Sequence, residues 1–169
     1  MILLACSPTR RLKENEYLLV KQQVIETDPQ YNGNDEIASF FTQKTNRKWF
    51  GLYRFYLQIY NLPNPEKLAQ KKEKQLVKLD SVNAAIQEAN EMRIAQGKKP
   101  KKLKKERLLF GEWLQNIGEP ATLLDSSKIE RTKSQMLQFI KNKGYFHASI
   151  DDSVALKPEK KKAVVHFLV

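Results

Sequence analysis

Residues 126–169, SSKIERTKSQMLQFIKNKGYFHASIDDSVALKPEKKKAVVHFLV, decide the fold of this chain. In the first part of this stretch, apolar residues recur at helical spacing, at Ile129, Met136, Leu137 and Ile140. In the second part they fall on alternate positions, as along one face of a strand. The period changes at Gly144, so the stretch predicts one helix followed by two strands.

Local signals mark the ends of these elements. Asp125, Ser126 and Ser127 offer N-cap oxygens for the first turn of a helix. Ser127 and Glu130 are also spaced as a capping box, which predicts a helix over Ser127–Lys143. Gly144 adopts the left-handed backbone conformation more easily than other residues and therefore ends that helix. The strands are predicted at Phe146–Leu156 and Ala163–Val169, with a charged turn that contains a proline between them.

Two further elements precede this stretch. Tyr17–Glu26 is rich in Val, Leu and Ile and predicts a first strand. Asn34–Arg47 carries apolar residues at helical spacing and predicts a first helix. We therefore expect an α+β fold in which three strands share one small sheet and the two helices cover one of its faces.

The joint at Gly144, Tyr145 and Phe146 resembles the end of the second helix in a POTRA domain. This domain is the periplasmic repeat of the outer-membrane assembly and translocation barrels. The segment 117–120, Ile-Gly-Glu-Pro, is similar to the loop that precedes that helix. The resemblance implies the element order β-α-α-β-β. Between its two helices this chain departs from the usual repeat, because a long helical and basic segment replaces the short loop.

The resemblance also implies a function and a place in the cell. Gln43–Arg47, followed by an aromatic segment, is similar to the lipoprotein branch of the Bam- and Tam-type assembly factors. The chain is then expected to be the N-terminal portion without the barrel, with a tether at residues 1–9. Residues 10–169 would form a single POTRA-like domain with an insertion at about 49–116. The implied partners are outer-membrane client proteins and subunits of the assembly machine, and no cofactor is implied.

The N-terminus carries a candidate lipid-attachment site. Cys6 is the only cysteine, so the chain can form no internal disulfide. Residues 3–6, Leu-Leu-Ala-Cys, fit a bacterial lipobox, in which a signal peptidase cuts before the cysteine and a lipid joins its sulfur. Since a usual signal has an apolar stretch of about 7–15 residues, this interpretation requires a start codon upstream of Met1. The alternative is an ordinary cysteine near a start codon.

The charge of the chain leaves a second class of function open. A net charge of +11 favours anionic partners. Lys98–Arg107 holds seven basic residues in ten positions, which could contact phosphates or form a solvated loop between the helices predicted at Glu66–Gln96 and Glu106–Asn116. Trp49–Leu62 contains six aromatic rings, whose spacing favours a helix packed into a core over a stacking platform. The alternative function is therefore a basic nucleic-acid-binding protein.

The sequence offers no pattern typical of an enzyme or a metal site. His147 and His166 lie in or beside predicted strands, with no cysteine or carboxylate at the spacing of metal ligands. Asp151 and Asp152 are adjacent, so a strand would point them to opposite faces, and they are interpreted as strand-breaking residues or a bulge. Neither a glycine-rich phosphate loop nor a nucleophile elbow is found. We therefore expect no catalysis, no metal and no cofactor.

The strand after Gly144 is the candidate surface for clients. In a POTRA-like sheet this strand lies at one side and pairs only with the final strand, so its other edge can accept an unfolded strand. The candidate residues are Phe146, His147, Ala148, Ser149 and Ile150.

Lipidation of Cys6 is directly testable. In protein purified from its own host, mass spectrometry is expected to find Cys6 as the N-terminal residue, with a lipid on its sulfur. An intact Met1 together with a free Cys6 thiol would contradict this prediction.

Overall fold

The computed structural model describes residues 8–25 and 34–169, with side chains from residue 36 onward in the second range. These residues fall into two compact units. The first contains the chain up to Gln58 together with Glu119–Val169, and the second is Ile59–Gly118. The insertion predicted at about 49–116 overlaps this second unit.

Along the described residues one strand is followed by five α-helices and then by two strands. Their bounds are β1 Leu18–Ile25, α1 Asn34–Ala38, α2 Phe55–Asn61, α3 Pro65–Ala95, α4 Phe110–Ile117, α5 Ser126–Asn142, β2 Asp151–Lys157 and β3 Lys162–Leu168. A short 3-10 helix, Pro158–Lys160, connects β2 to β3.

Within the described residues the three strands form one sheet in the order β1-β3-β2. The central strand β3 pairs with β1 in parallel and with β2 in antiparallel orientation. A register shift between Leu19 and Lys21 interrupts the regular pairing of β1. The predicted α+β fold with one shared three-stranded sheet is confirmed.

One face of the sheet is covered by helices. Met136 and Ile140 of α5 are 0% and 1% exposed, and they belong to the same buried cluster as Val165 and Phe167 of β3. Ile37 of α1 is a further member of this cluster. The predicted apolar face of α5 and the packing of both helices against the sheet are therefore confirmed.

The sequence predicted the residue that ends α5 but placed the start of the helix one residue too late. Asp125 is the N-cap, because its Oδ1 atom accepts the N–H groups of Ser127 at 3.0 Å and Lys128 at 3.4 Å. The capping box predicted from Ser127 and Glu130 is therefore wrong: the helix already begins at residue 126. Gly144, with φ of +101°, follows the last turn as predicted.

The first helix is much shorter than the predicted Asn34–Arg47, since α1 ends at Ala38. The following segment is held instead by polar side chains. Gln43 Nε2 donates to the Leu123 carbonyl at 2.7 Å, and the Asn46 amide bonds both the Pro120 carbonyl and the Thr122 N–H. Gln43 and Asn46 are both buried. These bonds fix an extended path that a continued helix could not follow.

The strand predicted at Phe146–Leu156 also needs correction, because β2 begins only at Asp151. The backbone before it is folded into turns, in which Tyr145 donates to the Ile140 carbonyl and Ala148 donates to the Tyr145 carbonyl. Ile150 is buried and attaches the end of this connection to the core. Turn hydrogen bonds therefore replace the alternation that the sequence pattern predicted.

The prediction that the aromatic segment packs its rings into a core is wrong for most of them. Residues 49–53 form a turn in which the Trp49 N–H donates to the Tyr53 carbonyl at 2.7 Å, and α2 follows it. Exposed side chains in this segment include Trp49, Phe50, Tyr53 and Phe55. Leu57 is the residue of α2 that is buried.

The helices of the second unit agree with the sequence more closely. The long helix predicted at Glu66–Gln96 is α3, and Asn64 caps it by accepting the Lys67 N–H at 3.0 Å. The short helix predicted at Glu106–Asn116 begins four residues later, at Phe110. Glu112 bonds the Leu109 N–H at 2.8 Å and so fixes this later start.

The packing of α5 on β3 predicts the effect of a buried charge. Met136→Asp is expected to abolish cooperative unfolding at room temperature, because an unpaired buried charge costs several kcal/mol and a small domain is stable by only about 5–15 kcal/mol. Urea unfolding followed by circular dichroism measures this. Ser134→Asp, on the exposed side of the same helix, is the control and should change the free energy of unfolding by less than about 0.5 kcal/mol. Equal stability of the two variants would contradict the assigned packing.

Candidate functional site

The central strand β3 directs its backbone groups alternately to its two neighbours. At its end, the Val169 N–H donates to the Ile25 carbonyl at 3.0 Å, and before its start the Lys161 carbonyl accepts the Leu18 N–H at 2.9 Å. Odd-numbered residues of this segment therefore face β1, and even-numbered residues face β2. Their partners on β2 are Asp151, Ser153, Ala155 and Lys157.

It follows that Asp152, Val154 and Leu156 point their backbone N–H and C=O groups away from β3. Within the described residues these groups have no hydrogen-bond partner. The outer edge of β1 is closed at its start, because the Leu19 N–H donates to Thr122 and the Leu124 N–H donates to Tyr17, both at 2.8 Å. The edge of β2 is therefore open along its length, whereas the edge of β1 is closed at its start.

A groove of about 570 Å³ lies next to the start of β2. Four of the five predicted client residues line it: Phe146, His147, Ala148 and Ser149. The fifth, Ile150, is buried in the core. The predicted client residues therefore precede the edge strand and are not part of it. Phe146, which lines the groove, is 73% exposed. Binding of clients there remains a prediction.

The two adjacent aspartates have separate roles at the start of β2. Lys133 of α5 donates to Asp152 at 2.7 Å, and this hydrogen bond raises the pKa of Lys133. Asp151 is exposed. The predicted bulge or break is wrong, because β2 pairs with β3 in unbroken register from Asp151 onward. The ion pair fastens the start of the open edge strand to α5.

The histidines do not form a site with each other. His166 lies on β3, with its Nδ1 atom 2.6 Å from Gln23 Nε2 on β1, so its prediction as a sheet residue is confirmed. His147 lies in the turns before β2 and lines the groove. In the described ranges, no group of three His, Cys, Asp or Glu residues has the arrangement of a metal site.

The basic segment, Lys98–Arg107, is ordered along α3. The Asn90 amide bonds both backbone groups of Lys101, at 2.6 and 2.8 Å. The Asn83 amide does the same for Lys104, at 2.8 and 3.0 Å. The interpretation as a loosely solvated loop is therefore wrong for its backbone, although its side chains remain exposed.

The register of this pairing follows from two lengths. Seven residues of helix rise about 10.5 Å, and three residues of extended chain span about 9–10 Å. Asn83 and Asn90 are seven residues apart on α3, and their partners Lys104 and Lys101 are three apart. Gln75 extends the series by donating to the Arg107 carbonyl at 2.6 Å. We call these contacts the amide ladder.

Nearby acidic groups are already paired. Lys72 of α3 forms ion pairs with Glu106 and, at 2.6 Å, with Glu112. The hydrogen bond from Lys72, followed by that from the Leu109 N–H, lowers the pKa of Glu112. Among the residues that the structure describes, none of the six lysines in the basic segment forms an ion pair.

Two further observations concern a possible association of the chain with a membrane. Cys6, the candidate lipid-attachment residue, lies outside the described residues. In the part of the chain that the structure describes, no helix combines the length and apolarity needed to cross a bilayer.

A family model describes most of the chain. The POTRA model, "Surface antigen variable number repeat", matches residues 30–169, which include α1, α5, β2 and β3. Neither the curated proteins nor the solved structures provide a match.

The amide ladder predicts protection of particular backbone amides from hydrogen exchange. Asn90→Ala removes the acceptor of the Lys101 N–H, so the exchange rate of that amide is expected to rise by about two- to tenfold, since a lost hydrogen bond is worth about 0.5–1.5 kcal/mol and opening of this segment becomes local. Exchange followed by NMR measures it. Gln87→Ala, an exposed site on the same helix, is the control. Unchanged exchange at Lys101 would show that the ladder does not hold this segment.

Proposed function

The chain belongs to the POTRA family, and we propose that it is a periplasmic module of an outer-membrane protein assembly or translocation factor that binds unfolded client strands along β2. Members of this family are non-enzymatic interaction modules. The observation that carries the proposal is the open backbone of Asp152, Val154 and Leu156 beside the groove at Phe146.

The proposed mechanism is strand addition. An extended client segment pairs with the outward N–H and C=O groups of β2 and thereby continues the sheet. The backbone supplies these bonds, so clients of many sequences can bind. A client side chain next to the paired segment can enter the groove at Phe146. Each net hydrogen bond contributes only about 0.5–1.5 kcal/mol, so binding is weak enough for the client to be released.

The same edge carries features that limit pairing between copies of the chain. Its first residue, Asp151, and its last residue, Lys157, are charged and exposed. Charged residues on an open edge strand are one of the ways in which natural sheets limit association of two such edges. The outward groups between them remain accessible to a transient client.

Two further parts of the proposal concern location and partners. We place the protein on the periplasmic side of the outer membrane, anchored by a lipid on Cys6, as in the lipoprotein branch of the Bam- and Tam-type factors. Its partners are outer-membrane clients and subunits of the assembly machine. The lipobox at residues 3–6 supports the anchor, and the family match supports the partners.

The open edge is tested by a pair of variants at one position. Val154→Pro removes an outward backbone donor, whereas Val154→Ala removes the same side-chain contacts and keeps the donor. Both variants are expected to fold with similar loss of stability. Only Val154→Pro should lose binding to a peptide copied from a transmembrane strand of an outer-membrane protein, measured by fluorescence anisotropy. Equal affinity of the two folded variants would overturn the proposed edge.

The groove is tested by the same binding measurement. Phe146→Ala removes an exposed ring that lines the groove and should weaken binding of the client peptide several-fold without unfolding the sheet. Phe50→Ala removes another exposed ring of the first unit and is the matched control. Unchanged affinity of Phe146→Ala would restrict the site to the backbone of β2.

A further inference from the structure

We infer that the second unit, Ile59–Gly118, carries a surface that binds anionic lipid bilayers. This surface combines the lysines of the basic segment with exposed apolar residues that follow them, mainly Leu108, Phe110 and Trp113. It uses none of the residues of the proposed client site and does not depend on the function proposed above.

The apolar half of this surface lies on α4. Phe110, Trp113 and Ile117 are spaced i, i+3 and i+7, so they share one face of the helix, and they are 71%, 46% and 39% exposed. The rings of Phe110 and Trp113 stack with centroids 5.5 Å apart. The helix therefore presents a continuous apolar face to its surroundings.

An adjacent face of α4, which contains Gly111 and Leu114, packs against α3 and cannot replace the exposed face. Gly111 lies so close to α3 that a Cβ atom there would be 2.8 Å from Leu68 Cδ1. Leu68 and Leu114 line the same apolar groove beside Gly111. This close approach fixes the rotation of α4 about its axis, so Phe110 and Trp113 stay on the outside.

The charged half adjoins the apolar half directly. Lys104, Lys105 and Arg107 line one groove with Phe110 and with Lys78 of α3. The amide ladder holds the backbone of this segment in place before any partner binds. Binding therefore requires little further ordering of the chain, which lowers the entropic cost of association.

The charge of the surface is available to an external partner. Glu106 and Glu112, the acidic residues nearest to it in sequence, are both paired with Lys72. The lysines at 98, 99, 101, 102, 104 and 105 form no ion pair within the described residues. Lys104, Lys105 and Arg107 lie beside the apolar face, and the other lysines continue from them along α3. A row of cations that ends at an apolar face matches a membrane surface, where anionic head groups lie above the acyl chains.

The mixture of residues favours a bilayer over a nucleic acid. Leu108 and Ile117 are aliphatic and provide no flat ring on which a base could stack, while Trp113 belongs to the residue type enriched at bilayer interfaces. Long lysine side chains can extend to the phosphates while the apolar face enters the head-group boundary. The lysines and the apolar face of α4 then contact the bilayer at the same time.

The first experiment measures flotation of the full chain with vesicles. The chain carries Cys6→Ser so that no lipid on this residue contributes, and the vesicles contain phosphatidylcholine alone or mixed with phosphatidylglycerol. Binding is expected only to the anionic vesicles. The double variant Lys102→Glu/Lys105→Glu should lower the partition coefficient by about tenfold or more, since each basic residue contributes appreciably near an anionic surface.

A matched control separates position from net charge. Lys44→Glu/Lys160→Glu changes the total charge equally at exposed lysines of the first unit and should leave binding nearly unchanged. Equal losses of vesicle binding in the two double variants would show that only the overall charge matters. This result would overturn the proposed binding surface. Val154→Pro should bind vesicles like the parent, so failure of the client proposal does not affect this test.

The second experiment observes Trp113 directly. The chain has two tryptophans, so Trp49→Phe leaves Trp113 as the single indole. Its emission is expected to shift to shorter wavelength with anionic vesicles and to keep its position with neutral ones, because the ring leaves water for the head-group boundary. No shift with anionic vesicles overturns the inference. Tight, salt-sensitive binding of a random oligonucleotide without vesicle binding also overturns it, in favour of nucleic acid.

Discussion

The packing of β3 against α5 is the interaction on which the first unit depends. Val165 and Phe167 contact the helix face that contains Met136 and Ile140, and the backbone of β3 pairs on both sides. The parallel pairing with β1 joins residues more than a hundred positions apart. Such closure costs considerable loop entropy, which only the burial of a shared core can offset. Loss of this core would therefore remove the sheet as well as the helix packing.

The same arrangement makes the two edges of the sheet unequal. Residues 122–124 reach β1 because buried Gln43 and Asn46 hold the 119–124 segment in an extended path. That segment then occupies the start of the β1 edge, whereas the edge of β2 stays open. The polar side chains that follow the short first helix thus contribute to the difference between the two edges.

Periodicity predicted α5 and β3, since their apolar residues face one continuous core and repeat at 3.6 or 2 positions. Composition predicted β1, which is rich in Val, Leu and Ile. Periodicity failed at Asn34–Arg47, where side-chain hydrogen bonds to distant backbone decide the path of the chain. It also failed at 146–150, where hydrogen bonds of local turns do so. The sequence therefore predicted Phe146–Ile150 as part of an edge strand and did not predict the groove that residues 146–149 line. The amide ladder had a signal in the sequence, the polar residues Gln75, Asn83 and Asn90 at intervals of two helical turns. The spacing of these three residues can be interpreted only when the position of the basic segment that they bind is known.

The two candidate surfaces differ in the physics of their binding. At β2 the attraction comes from neutral backbone dipoles in contact, so added salt changes it little. At the basic segment it comes from unpaired lysines acting over distances comparable to the Debye length, about 10 Å at 0.1 M salt, and it weakens as salt rises. The apolar face of α4 supplies the remaining attraction there, which salt does not screen. A partner of the second unit must therefore be both anionic and able to accept Phe110 and Trp113, and these two requirements together describe a lipid bilayer better than a polyanion alone.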